Sequence, residues 1–175
     1  MSLLPITRLG DPVLRRVAET VADPTCPLIA GLARAMMETM AAAPGVGLAA
    51  PQVGRSLRLI VMRIMADRAD ASEPVGVVAL VNPEFEPLGP ETELGWEGCL
   101  SAPELRGVVP RFSRIAYRAW TTDGVRVEGE ASGFQARILQ HEIDHLDGVT
   151  YLDRMTDLST LGYGPELDAA REAAL

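Results

Sequence analysis

Residues Phe134 to His145 read FQARILQHEIDH and hold both histidines of the chain, at positions 141 and 145. At about 100° per residue of helix, positions i, i+1 and i+4 share one side, so two imidazoles and the Glu142 carboxylate can converge. Such a His-Glu-x-x-His segment is typical of a helical metal site whose glutamate serves as acid and base. The same spacing also arises by chance, where histidines merely cap or cross-link a helix surface.

The residues around this segment predict its secondary structure. Ser132 is a typical helix cap and Gly148 a typical terminator, so we predict a helix that begins after Ser132 and ends near Gly148. Phe134 and Ile138 fall on the same face as the histidines, so apolar side chains should border the ligands. Short β-type runs precede the helix, and Asp-Gly at 123–124 predicts an antiparallel hairpin. These runs cover residues 57–62, 75–81, 85–88, 105–109, 115–121 and 125–130.

Length and composition bound the class of protein. With 175 residues, 47% of them hydrophobic, the chain can bury roughly 70% of its unfolded surface in one core. We expect a single catalytic domain over residues 1–175, in which the weakly helical tail at 165–175 is prone to fraying. The formal net charge of −8 argues against a direct nucleic-acid substrate. No run approaches the ~18 apolar residues of a membrane span, and no signal-peptide pattern is present, so we expect a cytoplasmic protein without a membrane partner.

A catalytic metal site needs a third protein ligand and an open fourth position. Cys99 is the best candidate, because a thiolate and two imidazoles form a compact site for zinc or iron(II). In His-Glu-x-x-His peptidases the third ligand lies downstream, and Glu166 or Asp153 would have to serve here. A structural zinc site with a closed fourth position is a further alternative. Cys26, at the start of a predicted helix, is interpreted as structural.

Three segments together resemble the peptide deformylase family. They are GVGLAAPQ at 45–52, EGCLS at 97–101 and QHEIDH at 140–145, and their order and rough spacing also match. The resemblance implies an α+β fold with antiparallel sheets around a central metal-binding helix. It also implies that Cys99, His141 and His145 bind one divalent metal ion, typically iron(II), with zinc, nickel or cobalt as alternatives. The implied reaction is hydrolysis of the N-terminal formyl group from formyl-methionine of nascent polypeptides, which releases formate.

The resemblance assigns roles to other residues near the metal. Glu142 accepts the proton of the attacking water, while the Gln52 amide and the Leu100 N–H stabilise the oxyanion. An extended peptide pairs with Val46 and Gly47 as an added strand. Without the resemblance, Gln52 would be interpreted as a turn-stabilising amide, and the glycines around Val46 as loop residues with positive φ.

Residues expected near the substrate each have two possible interpretations. Phe134 and Ile138 are candidates for the pocket that receives the methionine side chain, although a buried helix face explains them equally well. Arg106 lies where the family can meet the substrate further along its chain, and a solvated surface arginine is the alternative. The expected partners are N-formylmethionyl nascent peptides, with a transient ribosome association left open. The acidic tail at 165–175 argues against docking on ribosomal RNA through that segment.

Two acidic residues are expected next to the metal ligands. Glu97 and Asp144 should orient ligands or pair with Arg106 or Arg111, because metal ligands need fixed partners. Arg137 departs from the resemblance, since it lies one turn before the first histidine at a position that is often apolar. It is expected either to point to solvent or to change the pocket entrance.

Overall fold

A computed structural model describes residues 3–43, 45–65 and 74–172 of the chain. The strands are β1 (Gly47–Ala49), β2 (Leu59–Met65), β3 (Pro74–Pro87), β4 (Thr92–Cys99), β5 (Ala102–Phe112), β6 (Arg114–Trp120), β7 (Arg126–Ser132) and β8 (Gly162–Tyr163). The helices are α1 (Pro27–Ala42), α2 (Gly133–Leu146), α3 (Tyr151–Arg154) and α4 (Gly164–Glu172), with short 3-10 helices at Pro12–Arg15, Ala50–Val53 and Leu158–Thr160.

Two antiparallel sheets enclose the helix that carries the histidines. One sheet has five strands in the order β1-β2-β3-β6-β7, and the other has three in the order β4-β5-β8. Helix α2 contacts strands of both sheets, and every residue from Ala136 to Leu146 is buried. Its apolar residues Ile138 and Leu139 join the core formed with the five-stranded sheet. The predicted α+β fold with a central helix is confirmed.

The predicted ends of α2 are close to the observed ones. Ser132 occupies the N-cap position, although its side chain makes no capping hydrogen bond. Gly148 follows the helix with φ of +72°, and a Cβ there would lie 2.7 Å from the Arg15 carbonyl oxygen. A residue with a side chain would therefore be strained and crowded at Gly148, which explains why the helix stops there.

The strands are longer and more continuous than predicted. The runs at 75–81 and 85–88 form one strand, β3, whose pairing with β6 shifts register between Val81 and Glu84. Asn82 lies in that interval with φ of +50°, and its side chain bonds both the N–H and the carbonyl of Val21. The break in the pattern is therefore a bulge rather than a chain reversal. The predicted hairpin at 123–124 is confirmed between β6 and β7, where Gly124 has φ of +78°.

The described helices are all too short or too polar to cross a membrane. The weakly helical tail is helical up to Glu172 as part of α4, and residues 173–175 lie outside the described residues. Helix α4 packs against β5 and β8, which places the tail beside the strand that follows Cys99.

Candidate active site

Three potential metal ligands from two elements meet at one point. Cys99 ends β4, while His141 and His145 lie one turn apart on α2. Their ligand atoms all lie within 4.8 Å of one another, and Cys99 Sγ is 3.2 Å from His145 Nε2. One sulfur and two imidazole nitrogens form a donor set that suits zinc or iron(II). The arrangement therefore fits a single metal ion.

The alternative third ligands lie elsewhere. The Asp153 carboxylate accepts hydrogen bonds from Thr150 N at 2.8 Å and Thr150 Oγ1 at 2.7 Å, and it also pairs with Arg15. Glu166 is an exposed residue in the first turn of α4. Asp153 thus caps α3 and Glu166 faces solvent, so neither belongs to the group of ligand atoms around His141.

Glu97 and Asp144 surround the ligands as predicted, and their shared partner is Arg111. Arg111 donates from Nε and Nη2 to the two Glu97 oxygens at 2.8 and 3.0 Å, and from Nη1 to Asp144 at 2.5 Å. Glu97 Oε2 lies 2.8 Å from His141 Nδ1, which leaves the other ring nitrogen of His141 for a metal. Burial alone would raise the pKa of Glu97, but the hydrogen bonds from His141 and Arg111 outweigh it and lower the pKa to about 2. Glu97 is therefore a carboxylate fixed behind the first histidine.

The protonation of the two histidines differs because their partners differ. Burial, reinforced by the neighbouring His141, lowers the pKa of His145 well below its ordinary value. Burial also disfavours a charged His141, but hydrogen bonds with Cys99 and Glu97 outweigh it and raise the pKa of His141. A metal ion requires a neutral ring, so metal binding at His141 displaces a proton.

Glu142 has the environment of a proton acceptor. Its side chain is buried, and its Oε2 atom has no hydrogen-bond partner among the residues that the structure describes. Burial raises the pKa of Glu142 to about 7, although the nearby His141 opposes the rise. A Cβ on Gly47 would overlap Glu142 Oε1 and lie 2.6 Å from the carboxyl carbon. The Gly47 backbone thus forms a wall against which the carboxylate rests.

The Gln52 side chain stabilises a turn and also faces the candidate ligand Cys99. Its Oε1 atom accepts a hydrogen bond from Ala49 N at 2.8 Å, which stabilises the turn after β1. Its Nε2 atom donates to Cys99 Sγ and to Ser101 Oγ, each at 3.3 Å. The carbonyl oxygen therefore fixes the side chain, while the amide N–H groups point at the ligand sulfur and its neighbour. Leu100 lies in the turn that joins β4 to β5, next to these groups.

A cavity of about 540 Å³ opens onto these groups. Phe134 lies at its wall with 51% of its surface exposed, whereas Ile138 is buried and Arg106 is exposed. Arg106 Nη1 lies 3.4 Å from Asp168 Oδ2 on α4. The cavity brings together all the predicted substrate and catalytic residues and two of the three ligands: Val46, Gly47, Gln52, Cys99, Leu100, Arg106, Phe134, Ile138, His141 and Glu142.

Two further residues of the site were not predicted from the sequence. Trp96 lines the cavity and is half-exposed, and its only signal in the sequence is an aromatic residue directly before Glu97. Tyr151 stacks on the His141 ring with centroids 6.1 Å apart. The Tyr151 hydroxyl is buried without a hydrogen-bond partner in the described parts of the chain. Nothing in the local sequence pattern indicates that Tyr151 packs against α2.

The expectation that Arg137 points to solvent is wrong. Only 9% of Arg137 is exposed, and its guanidinium bonds to Glu97 and to main-chain carbonyl groups of β4 and β5. Burial of a guanidinium requires such partners, and a carboxylate with several carbonyls supplies them. Arg137 also borders the cavity, in line with the other expectation for this residue.

Comparisons with known proteins agree with this geometry. The family model described as polypeptide deformylase matches residues 3–160. The chain is 48% identical over 168 residues to peptide deformylase 1 of Bordetella pertussis, covering 93% of this chain and 96% of the relative. It is similar to the crystal structure of peptide deformylase from Thermotoga maritima, with a TM-score of 0.80, 42% identity, and coverage of 90% and 100% of the two chains. It is also similar to a Met-Ala-Ser bound class I type b peptide deformylase from Acinetobacter baumannii, with a TM-score of 0.80, 39% identity, and coverage of 88% and 100%.

Proposed function

This chain belongs to the peptide deformylase family and removes the N-terminal formyl group from nascent polypeptides, and from that premise we propose how its own residues perform the hydrolysis. The family is metal-dependent, and the donor set of Cys99, His141 and His145 supports these three residues as the ligands. We assign iron(II) as the native metal, with zinc, nickel and cobalt as ions that the same donors accept. When bound, the metal ion supplies a Lewis acid that polarises the formyl group and lowers the pKa of water in the site.

Glu142 moves the proton in this proposal. Its Oε2 atom, which has no partner within the described residues, takes a proton from the attacking water as the water oxygen forms a bond to the formyl carbon. Glu142 then gives that proton to the peptide nitrogen as the C–N bond breaks, which releases formate and a free α-amine. Burial supports both steps, because a carboxyl with a pKa of about 7 exchanges protons readily near neutral pH.

The oxyanion of the tetrahedral intermediate needs donors that are already in place. The Gln52 side chain is held through its Oε1 atom by Ala49 N, so its Nε2 group stays directed toward Cys99. We assign Gln52 Nε2 and the Leu100 main-chain N–H as these donors, since a fixed dipole costs no reorganisation during the reaction. One donor therefore comes from the Gln52 side chain after β1, and the other from the main chain of the turn after β4.

The edges of the two sheets support the mode of substrate binding. Strand β1 lies at the edge of the five-stranded sheet and β4 at the edge of the three-stranded sheet, and residues of both line the cavity. An extended peptide can therefore pair with Val46 and Gly47 as an added strand. Phe134 and Ile138 then enclose the methionine side chain, and Arg106 meets the peptide further along. The Met-Ala-Ser bound relative supports a peptide of this kind as the ligand.

We further propose that residues 1–175 form a single catalytic domain that works in the cytoplasm. Its partners are N-formylmethionyl nascent peptides, which it meets during a transient association with the ribosome. The helix at the carboxyl end carries Glu166, Asp168 and Glu172, so this association uses another surface.

The convergence of the three candidate ligands on one point, with Glu142 in the adjoining cavity, carries this proposal, and formate release tests it. Protein prepared without oxygen, or loaded with nickel or cobalt, should release formate from formyl-Met-Ala-Ser. Glu142→Ala should abolish the release while the metal stays bound, and Cys99→Ala should lose the metal. Retained turnover in Glu142→Ala would refute the mechanism. A metal retained by Cys99→Ala would favour a peptidase-like site with another third ligand.

A further inference from the structure

Arg137 connects the metal helix to both strands of the β4–β5 hairpin. Its Nη2 atom donates to the Glu93 carbonyl at 2.7 Å, and its Nη1 atom donates to the Val109 carbonyl at 2.9 Å. Nη1 also lies 2.8 Å from Glu97 Oε1 and 3.4 Å from the Gly95 carbonyl. A planar guanidinium can serve several acceptors at fixed angles, which an ammonium group cannot. Arg137 is therefore immobilised by acceptors on both strands and on one buried carboxylate.

The carboxylate that Arg137 binds is the one that holds a metal ligand. Glu97 accepts from Arg137 and Arg111 at Oε1, and from Arg111 and His141 at Oε2. Arg137 and His141 lie one turn apart on α2, so two side chains of the same helix form hydrogen bonds with Glu97. Without the hydrogen bond from Arg137, the Glu97 carboxylate could rotate about its remaining contacts with Arg111. The His141 ring would then lose its fixed orientation.

Gly95 leaves room for this contact. A Cβ at Gly95 would lie 2.7 Å from both Cζ and Nη2 of Arg137, closer than side-chain atoms tolerate. The guanidinium could yield only by giving up hydrogen bonds to Glu97 and the strand carbonyls, because it is buried there. The position of the Arg137 guanidinium therefore depends on the absence of a side chain at Gly95, although Gly95 itself has no charge and no side-chain donor.

We propose that Arg137 is a positioning residue of the metal centre: it fixes Glu97 between α2 and the β4–β5 hairpin and thereby orients His141, and Gly95 is required to admit its guanidinium. This inference rests on the proposed function, because it takes His141 as a metal ligand. Arg137 binds Glu97 rather than a ligand atom, and Gly95 lies behind it, so both residues act on the metal centre through Glu97 and His141.

The test measures metal binding rather than turnover. Metal-free protein is titrated with zinc against a chromophoric chelator, and the absorption bands of the cobalt-substituted protein report the ligand geometry. Arg137→Met and Gly95→Ala should each weaken zinc affinity by about 10- to 100-fold, as is typical when a partner of a metal ligand is lost, and should shift the cobalt bands. Arg137→Lys should also weaken zinc affinity, because one ammonium group cannot replace the several N–H donors of the planar guanidinium.

Matched controls separate positioning from general destabilisation. Arg114→Met removes an exposed arginine that pairs with Glu130, and Gly31→Ala adds a methyl group at a position where the described part of the chain places no atom within 4 Å. Both controls should bind zinc within about twofold of the wild type, since neither touches the site. If Arg137→Met does not fold, Gly95→Ala decides the question, because it retains every charge and hydrogen-bonding side chain.

The double variant gives the sharpest outcome. In the Arg137→Met background, Gly95→Ala should change zinc affinity by less than about twofold, because the guanidinium that the alanine would displace is absent. Independent, additive losses from the two substitutions would overturn the proposal. So would wild-type affinity and unchanged cobalt bands in Arg137→Met, Arg137→Lys or Gly95→Ala. Failure of the wild-type protein to bind one zinc ion would instead refute the ligand set of the proposed function.

Discussion

Replacement of Gly47 by alanine should displace the Glu142 carboxylate and slow deformylation without releasing the metal. The added Cβ would overlap Glu142 Oε1 and lie 2.6 and 2.8 Å from its Cδ and Cγ atoms. Glu142 is buried, so the carboxylate cannot swing into solvent and has to move within the site. The φ angle of Gly47 is not in the left-handed region, so alanine adds a contact and no backbone strain.

The expected size of the effect follows from this displacement. Ordinary carbon contacts need about 3.5 Å or more, so the carboxylate has to shift by roughly 1 Å. A misplacement of about 1 Å can cost on the order of 100-fold in rate, and a positioned general base is worth about 100- to 10,000-fold in total. We therefore expect kcat/KM of Gly47→Ala to fall about 100-fold, less than for complete removal of the carboxylate.

Formate release from formyl-Met-Ala-Ser by nickel-loaded protein measures the loss, and metal analysis checks that one ion per chain remains. Gly76→Ala is the matched control, because among the described residues a Cβ at Gly76 on β3 would meet only Ile64 Cδ1, at 3.8 Å. Wild-type kcat/KM in fully metal-loaded Gly47→Ala would refute the reasoning.

Three other predictions concern charge and metal. Burial raises the pKa of Glu142 to about 7, and the base works only when deprotonated, so kcat/KM should fall as pH drops below about 7; a flat profile from pH 5 to 8 would contradict this role. A bound cation favours the carboxylate, so the midpoint of this fall should lie below pH 7 but within the range from pH 5 to 8. Arg111→Met would leave Glu97 and Asp144 buried with fewer partners, and should lower the free energy of unfolding of the metal-free protein by about 3–5 kcal/mol in urea titrations. Arg114→Met, at an exposed ion pair, should change the free energy of unfolding by less than about 1 kcal/mol. Equal effects of the two substitutions would contradict the distinction between buried and exposed ion pairs. Removal of the metal with a chelator should lower the thermal midpoint, because an ion present at 1,000 times its Kd adds about 4 kcal/mol to the folded state. An unchanged midpoint would mean that the ion is not bound in the native state.

Features that depend on neighbours in the chain could be predicted from the sequence. The two histidines and Glu142 share one side of α2 because helix geometry relates positions four apart, whatever the helix packs against. The end of that helix at Gly148 and the turn at 123–124 follow from glycine in the same way. The separate runs at 75–81 and 85–88 were predicted less well, since Asn82 forms a bulge through its bonds to the distant Val21.

The pairing of charged residues around the ligands could not be predicted in the same way. Arg111 was one of two candidate partners for Glu97 and Asp144, and only the β4–β5 pairing, which sets Glu93 opposite Arg111, brings it between them. Arg137 was expected at the surface or at the pocket entrance, because it occupies a helix position that is often apolar in the resembled family. Its burial depends on carbonyl groups more than 25 positions away in the chain, at Glu93 and Val109.

By itself, the sequence determined the helix that carries both histidines, the α+β class and, through three short segments, the family. Each of these depends on local periodicity or on residues whose identity is restricted by chemistry. Only the tertiary structure decided which groups surround the candidate ligands and Glu142: Gly47 against Glu142, Tyr151 against His141, and Arg137 with Gly95 behind Glu97. These contacts join residues between 10 and 95 positions apart, and burial makes each of them specific. A one-dimensional pattern records which residues are present, whereas the partner of a buried charge is set by how helix and sheets pack together.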